Sequence, residues 1–144
     1  MGRTAITLEV VNLADEIMAG RGKMAASGVR RAVVDDVPAD TGATFLCLHR
    51  RIIRQLGLAK VGTVRLKTAN GPVRRNRYEE VRIYFRIRRR DARHASTSVI
   101  EHPADVPQLL GAVPIETMDL LVDVRSKQSI PNPAHGGKFM VKAY

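Results

Sequence analysis

An ionisable carboxylate stands inside an apolar part of the sequence, in the run VVDDVPADTGATFLCL over residues 33–48. Asp40 is followed there by Thr41, Gly42 and Ala43. Burying an unpaired charge costs free energy, so a carboxylate in such a setting is paired, protonated or functional. Gly42 permits positive φ or close backbone approach, and the Thr41 hydroxyl can bond backbone. The sequence therefore predicts a tight loop between two strands.

Asp40 alone is a poor nucleophile, and no histidine base lies near it in the sequence. Two carboxylates within hydrogen-bond distance behave differently, because like charges that close share one proton. The ionised member can then take a proton from water while the protonated member polarises a carbonyl. Such a pair would hydrolyse an amide without a metal, a cofactor or a covalent intermediate.

The other residues that could act as nucleophiles or metal ligands are predicted to have structural roles only. Cys47 lies in the apolar run FLCL, which predicts a buried thiol rather than an activated nucleophile. The histidines lack the spacing of metal ligands and are predicted to lie on the surface or in loops. They are His49, His94, His102 and His135. No metal site and no cofactor is predicted.

Other acidic residues give no second site. Asp35 and Asp36 are adjacent on a predicted strand, so their side chains point to opposite faces and make poor co-ligands. Glu116 and Asp119 are predicted on the exposed face of the last helix. Asp-Thr-Gly occurs only once in the sequence. A carboxylate pair built on this motif therefore needs Asp40 from two copies of the chain.

Alternating and β-branched runs predict the strands that must hold the Asp40 loop. The run TAITLEVV, residues 4–11, predicts a strand with Ile6, Leu8 and Val10 inward. An Asn-Gly pair between alternating runs predicts a hairpin with its turn at residues 69–72. Further strands are predicted over residues 29–37, 44–48 and 95–101, and a small strand-turn-strand over residues 121–132.

Two short helices are predicted. In residues 49–58 apolar side chains recur at helical spacing, and Gly57 ends the pattern. Pro114 can open a second helix with an apolar stripe along one side. The apolar positions are Ile52, Ile53 and Leu56 in the first helix, and Ile115, Met118, Leu121 and Val122 in the second.

The order of these elements predicts a mainly β fold, a small closed or partly open β-barrel with two short helices. One domain over residues 1–144 accounts for the length. Residues 1–30 are predicted as an N-terminal strand and loop extension, with a flexible glycine-rich loop at 18–28. Residues 131–144 are predicted as a C-terminal tail.

Composition narrows the functional classes. Hydrophobic residues make up 44% of the chain and aromatics 4%, which is typical of a globular domain with an aliphatic core. The chain has one cysteine, and no run resembles a membrane span or a secretory signal. A cytoplasmic protein without a membrane role is therefore expected.

The net charge of +10 has many of its arginines between residues 64 and 93. Along residues 82–88 arginines alternate with apolar side chains, which favours one set in water and the other in the core. The outward set comprises Arg82, Tyr84, Arg86 and Arg88, and the inward set Ile83, Phe85 and Ile87. A solvated basic face explains this pattern, and a nucleic-acid footprint is the other interpretation. The same charge would suit an acidic partner or substrate.

The motif ADTGAT is followed by a short helix, a TANG hairpin and, later, a Leu-Leu-Gly element with its own helix. This order resembles the retropepsin-like aspartic proteases over residues 33–124, and the bacterial single-lobe members are the most similar. The resemblance implies the acid-protease type of β-barrel and an aspartic endopeptidase that acts on peptide or protein segments. It also implies a homodimer, because each chain supplies one catalytic aspartate.

The same resemblance assigns roles to individual residues. Asp40 is implied to be catalytic, Thr41 and Gly42 to shape the loop around it, and Ala43 to line the substrate cleft. A glycine-tipped flap is implied at the hairpin turn, and an apolar-apolar-Gly element is implied to pack against the loop. The flap residues are Ala69, Asn70, Gly71 and Pro72, and the supporting residues are Leu109, Leu110 and Gly111.

The sequence departs from the family in the residues next to these motifs. Pro38 and Ala39 precede Asp40 where the family has large aliphatic residues, and Ala112 follows Gly111 where retroviral members have an arginine. A non-catalytic dimerisation or peptide-binding module of the same fold is therefore the second interpretation. A basic nucleic-acid-binding barrel is the third.

Overall fold

The computed structural model describes residues 6–88, 91–123 and 128–131, with strands as the main element. The first half of the chain contains β1 (Leu8–Asn12), α1 (Leu13–Gly20), β2 (Arg31–Val34), β3 (Leu46–His49), α2 (Arg50–Gln55) and β4 (Lys60–Thr68). The second half contains β5 (Gly71–Arg88), β6 (Asp91–His102), β7 (Leu109–Leu110), α3 (Ala112–Thr117), β8 (Leu120–Asp123) and β9 (Gln128–Pro131). The predicted mainly β class is confirmed.

The described strands form an open sheet rather than a closed barrel. Its order is β2-β1-β5-β6-β3-β7, with β4 paired to β5, while β8 and β9 form a separate two-stranded sheet. Strand β3 lies parallel to β6 and antiparallel to β7. The backbone that precedes β3, which contains Asp40, is therefore placed beside the end of β7.

The core is aliphatic, as the low aromatic content predicts. The predicted inward residues of the first strand, Ile6, Leu8 and Val10, are buried. On β5, Val81 and Ile83 are fully buried while Arg82 and Tyr84 are half-buried, so the period of two is confirmed over these residues. The side chains at 86–88 lie outside the described part.

Helix α2 agrees with its prediction. Ile52, Ile53 and Leu56 are buried against the sheet. Gly57 follows with φ of 63°, a conformation that favours glycine and ends the helix.

The N-terminal extension contains a helix that the sequence reasoning did not find. Helix α1 occupies residues up to Gly20, so the predicted loop at 18–28 is wrong at its start, and a single 3-10 turn lies at Ala26–Gly28. Asn12 caps the helix, because its side chain accepts a hydrogen bond from the Asp15 N–H at 3.0 Å. The Asn12 amide also donates to the Leu56 carbonyl at 2.8 Å, which ties the cap to the end of α2.

Asp15 and Arg30 form an ion pair that closes the segment after α1. Asp15 Oδ2 accepts from Arg30 Nε at 2.8 Å and from the Arg30 backbone N–H at 3.0 Å. Asp15 Oδ1 accepts from Arg30 Nη2 at 3.0 Å. The carboxylate is buried, and the hydrogen bonds from Arg30 hold its pKa below the usual range against the opposing effect of burial.

The last predicted helix is shorter than the sequence suggested. Helix α3 ends at Thr117, and Asp119 adopts φ of 54°, so the chain turns and enters β8. Leu121 and Val122, predicted on the helical stripe, belong to β8 instead. Asp119 is buried rather than exposed. The cause is tertiary, since buried Arg93 donates to the carbonyls of Met118 and Asp119 at 2.9 and 2.8 Å.

The C-terminal strand-turn-strand is confirmed where the structure describes it. Strand β8 pairs antiparallel with β9, with Leu120 opposite Pro131. The predicted tail beyond Pro131, including His135, lies outside the described residues.

Candidate functional site

The backbone around Asp40 is held by hydrogen bonds to β7. The Asp40 N–H donates to the Leu110 carbonyl, and the Leu110 N–H donates to the Pro38 carbonyl, each at 2.9 Å. Ala39 forms a parallel bridge with Leu110 and is buried. Pro38 lacks an N–H but supplies its carbonyl, so the strand entering the loop is paired despite the proline.

Residues 40–43 make a tight turn that orients the Asp40 carboxylate. The Ala43 N–H donates to the Asp40 carbonyl at 3.1 Å, and the Gly42 N–H donates to Asp40 Oδ1 at 2.8 Å. A Cβ at Gly42 would lie 3.0 Å from that oxygen, so glycine leaves room for the carboxylate. Across the described ranges, Asp40 Oδ2 has no hydrogen-bond or ion-pair partner. Thr41 is exposed.

The element from Leu109 to Gly111 packs directly on this turn. A Cβ at Gly111 would lie 2.2 Å from the Phe45 carbonyl oxygen and 2.6 Å from the Thr44 carbonyl carbon, so only glycine fits the contact. Two backbone hydrogen bonds extend the contact between this element and the loop. The Ala112 N–H donates to the Ala43 carbonyl at 2.8 Å, and the Val113 N–H donates to the Thr44 carbonyl at 2.9 Å. The loop and the start of α3 thus form one unit.

The carboxylate opens onto a cleft of about 600 Å³. One side is formed by the Asp40 loop and β3, and the other by β4 of the hairpin. The described lining residues are Asp40, Gly42, Ala43, Thr44, Phe45, Cys47, Val64, Arg65, Leu66, Lys67, Thr68, Ile100, His102 and Leu109. A volume of this size accommodates several side chains of a peptide.

The hairpin lies where the resemblance implied a flap, but its strand rather than its turn lines the cleft. Thr68 pairs with Gly71, which leaves Ala69 and Asn70 as the turn. Gly71 has φ of 101°, and the Thr68 hydroxyl donates to its carbonyl at 2.6 Å. The turn residues, including Pro72, are not among the described lining residues.

Cys47 and His102 also line the cleft, and burial shifts the pKa of each. Burial, with a smaller contribution from the Asp40 charge, raises the pKa of the Cys47 thiol to about 11. Burial also lowers the pKa of His102 against the opposing effect of its hydrogen bond to the Pro107 carbonyl, and the positive charge of Arg75 lowers it further. Cys47 is therefore an inert thiol, as predicted, and burial favours the neutral form of His102 over the charged one.

The prediction that the histidines lie on the surface or in loops is wrong for His102. It ends β6 and is buried, with Nδ1 3.1 Å from the Pro107 carbonyl oxygen. His49, its neighbour across the parallel pair, is half-buried, with Nε2 2.7 Å from the Val106 carbonyl oxygen. Both rings fasten the segment that leads into β7.

Sequence reasoning missed a polar cluster behind the cleft. The Arg77 guanidinium lies 5.4 Å from the centre of the Phe45 ring, and its Nη2 donates to Ser98 at 2.9 Å. Glu101 accepts from Tyr78 at 2.6 Å and forms an ion pair with Arg50 at 3.0 Å. The antiparallel pairing of β5 with β6 makes these residues neighbours, since Arg77 lies opposite Ile100 and Tyr78 lies opposite Val99.

The described part of the chain contains no group of three or more metal-ligating side chains. Within that same part, no helix is long and apolar enough to cross a membrane. No protein-family model matches the chain, and no curated protein matches it. Function is therefore inferred from the Asp40 loop and its cleft.

Proposed function

We propose that the chain is an aspartic endopeptidase of the retropepsin-like fold, which hydrolyses peptide bonds through water activated by Asp40 and the Asp40 of a second copy. The observation that carries the proposal is the geometry of one carboxylate. Asp40 is oriented by the Gly42 N–H at 2.8 Å, keeps Oδ2 free of described protein partners, and lines a cleft of about 600 Å³.

The chemistry follows from placing two such carboxylates together. The ionised member takes a proton from water, which attacks the peptide carbonyl carbon, while the protonated member donates to the carbonyl oxygen. The C–N bond of the resulting tetrahedral intermediate then breaks, and the carboxyl that took the proton from water donates it to the leaving nitrogen. The Gly42 N–H fixes Oδ1 and leaves Oδ2 for the shared proton or the water. The Leu110 carbonyl accepts from the Asp40 N–H, and the N–H groups of Ala112 and Val113 donate to carbonyls of the loop, so the loop is held in this orientation.

Strand β4 supplies a surface for an extended peptide. It pairs with β5 along one side, and no other described strand pairs with it. Residues 64–68 of β4 line the cleft, so a peptide lying there can add to the free edge by main-chain hydrogen bonds.

A homodimer is part of the proposal, because one chain contributes one Asp-Thr-Gly loop. The proposal includes a cytoplasmic setting. It needs no cofactor, since the attack of water requires only the two carboxylates. The second candidate is a peptide-binding or dimerisation module that uses the same cleft without hydrolysis. The arginines behind the cleft support this second candidate, because a polar hairpin can bind charged segments without hydrolysing them.

The test is cleavage of an unfolded protein at mildly acidic pH by the wild-type chain and by Asp40→Asn. Wild-type activity should be blocked by a statine-type transition-state mimic and lost in Asp40→Asn, whose circular dichroism and sedimentation should match the wild type. Cleavage retained by Asp40→Asn, or a chain that sediments as a monomer at every concentration, contradicts the proposal. If the wild-type chain binds the unfolded protein but does not cleave it, the second candidate is supported.

A further inference from the structure

The β4 wall of the cleft carries two cations. Arg65 and Lys67 on β4 are exposed and line the cleft, while Val64 and Leu66, which alternate with them, are half-buried. Asp40 is the one acidic residue among the described lining residues. The loop side contributes apolar surface from Ala43, Phe45 and Leu109. The cleft thus combines an apolar side with a basic wall.

Two arginines of β5 add positive charge behind this wall. Arg75 pairs in register with Val64, and Arg77 pairs with Gly62. The Nε atoms of both arginines are buried, and in the described part of the chain they have no hydrogen-bond partner. The Arg77 guanidinium lies over the ring of Phe45, which lines the cleft. Each guanidinium group therefore keeps an unsatisfied N–H beside its described hydrogen bond, which runs from Arg75 to the Arg74 carbonyl and from Arg77 to Ser98.

The nearby carboxylate does not neutralise the wall. Glu101 accepts hydrogen bonds from Tyr78 and Asn76 at 2.6 and 3.3 Å and pairs with Arg50 at 3.0 Å. The Glu101 carboxylate therefore pairs with Arg50, the first residue of α2, rather than with Arg65 or Lys67. Positive potential remains at the cleft wall, where an acidic ligand would be attracted.

We infer that the cleft selects peptide segments with two acidic side chains at alternate positions. The inference rests on the proposed function, since it assumes that the cleft is the peptide site. Arg65 and Lys67 are two residues apart on one face of β4, and alternate side chains of an extended peptide repeat at the same spacing. Carboxylates at positions i and i+2 of a segment added to β4 therefore meet both cations together, and apolar side chains of the segment face Phe45 and Leu109.

Three fluorescent peptides test this spacing. All share one apolar sequence and carry Glu at i and i+2, Gln at i and i+2, or Glu at i and i+1. Binding is measured by anisotropy on Asp40→Asn, and cleavage is measured on the wild type. The alternating Glu peptide should bind and react about tenfold better than the Gln peptide and measurably better than the adjacent Glu peptide. Raising the salt should reduce the preference by screening.

Matched variants test whether the preference for the Glu peptide over the Gln peptide depends on Arg65 and Lys67. Arg65→Gln with Lys67→Gln should bring the Glu and Gln peptides to within about twofold of one another. Arg54→Gln with Lys60→Gln removes the same charge from exposed positions outside the cleft lining and should leave the preference intact. Equal loss in both double variants would show a bulk-charge effect and overturn the inference.

The outcomes for selectivity and for activity are separable. Cleavage of all three peptides at one rate overturns the inference and leaves the endopeptidase proposal standing. Selective binding that depends on Arg65 and Lys67, without any cleavage by the wild type, supports the recognition and refutes the activity. A single-stranded oligonucleotide that binds more tightly than the alternating Glu peptide and displaces it would assign the wall to nucleic acid and overturn the inference. Absence of binding by every peptide would overturn it as well.

Discussion

Asp15 and Asp40 are carboxylates of the same chemical type in opposite situations. Asp15 is buried, and both of its oxygens accept hydrogen bonds from Arg30 at 2.8–3.0 Å. Asp40 receives one described hydrogen bond, from the Gly42 N–H, and faces a cleft. The first carboxylate is saturated by its partner, and the second keeps an oxygen that can bind water or a proton.

The difference teaches where chemistry is possible in this fold. Removing a carboxylate from water costs free energy, which Arg30 offsets at Asp15 through charge-assisted hydrogen bonds. At Asp40 the protein supplies rigid backbone contacts, and no described residue forms an ion pair with its carboxylate. An oriented, incompletely paired carboxylate is the kind of group that a second carboxylate or a substrate can complete.

The largest expected effect separates the two carboxylates by activity. Asp40→Asn should reduce hydrolysis by about a thousandfold or more, because the amide cannot share the proton of the pair, and it should leave the unfolding midpoint almost unchanged. Asp15→Asn should lower that midpoint by roughly 5 °C while activity per folded molecule is retained. Thermal unfolding and peptide cleavage measure both.

Asp105→Asn is the control for these variants, since it removes a negative charge from an exposed loop position. This substitution should change neither the rate of hydrolysis nor the unfolding midpoint. If Asp15→Asn lost activity while still folded, or Asp40→Asn unfolded, the division between a structural and a chemical carboxylate would be wrong.

The next effect tests the backbone support of Asp40. Gly111→Ala should destabilise the fold by about 2–3 kcal/mol, because its Cβ would overlap the Phe45 carbonyl oxygen and displace the turn. Activity should fall at least about tenfold as Asp40 loses its orientation. Gly62→Ala is the matched control, since a Cβ there has no heavy atom within 4 Å. Equal stability of the two variants in denaturant titrations would contradict this account.

Acid provides a milder perturbation of the Asp15 pair. The pKa of Asp15 is lowered in the folded chain by hydrogen bonds from Arg30, so the unfolded chain binds its proton first as pH falls. Stability from the pair is fully present above the unfolded pKa, near 4, and is lost as pH falls through the lower folded pKa. Asp15→Asn should show a shallower dependence of unfolding free energy on pH below about 4. Identical slopes in the two chains would exclude this origin.

The smallest effect concerns Cys47, which reports on the charge of Asp40. Its pKa of about 11, raised by burial and then by Asp40, should make the native thiol at least a hundredfold slower to modify than the unfolded thiol at pH 8. Asp40→Asn should increase the native rate by about twofold. A rate that does not respond to this substitution would mean that the Asp40 charge does not reach the thiol.

The parts of the fold that follow from local pattern were predictable. The alternation of Ile6, Leu8 and Val10, the spacing of Ile52 and Ile53, and the Asn-Gly hairpin each express a period or a turn preference within a few residues. The Asp-Thr-Gly motif likewise identified the loop that the structure places against Leu110 and Gly111.

The parts that depend on distant contacts were not predictable from pattern. Helix α1 is secured by Asn12, which bonds the end of α2, and by Asp15, whose partner Arg30 lies beyond the helix. Helix α3 ends early because Arg93 occupies the carbonyls after it. His102 is buried by the pairing of β6 with β3. No local period encodes these contacts.

The hydrogen bond between the Asp40 N–H and the Leu110 carbonyl joins residues that are 70 positions apart in the sequence. Contacts of such long range close late in folding, because a large loop must be ordered before they form. During synthesis the Asp40 turn therefore emerges well before the segment that fixes it, and residues up to Val113 must follow before the turn is complete. Until residues 109–113 have been made and have folded onto the turn, a nascent chain carries the Asp40 carboxylate without the backbone contacts that orient it.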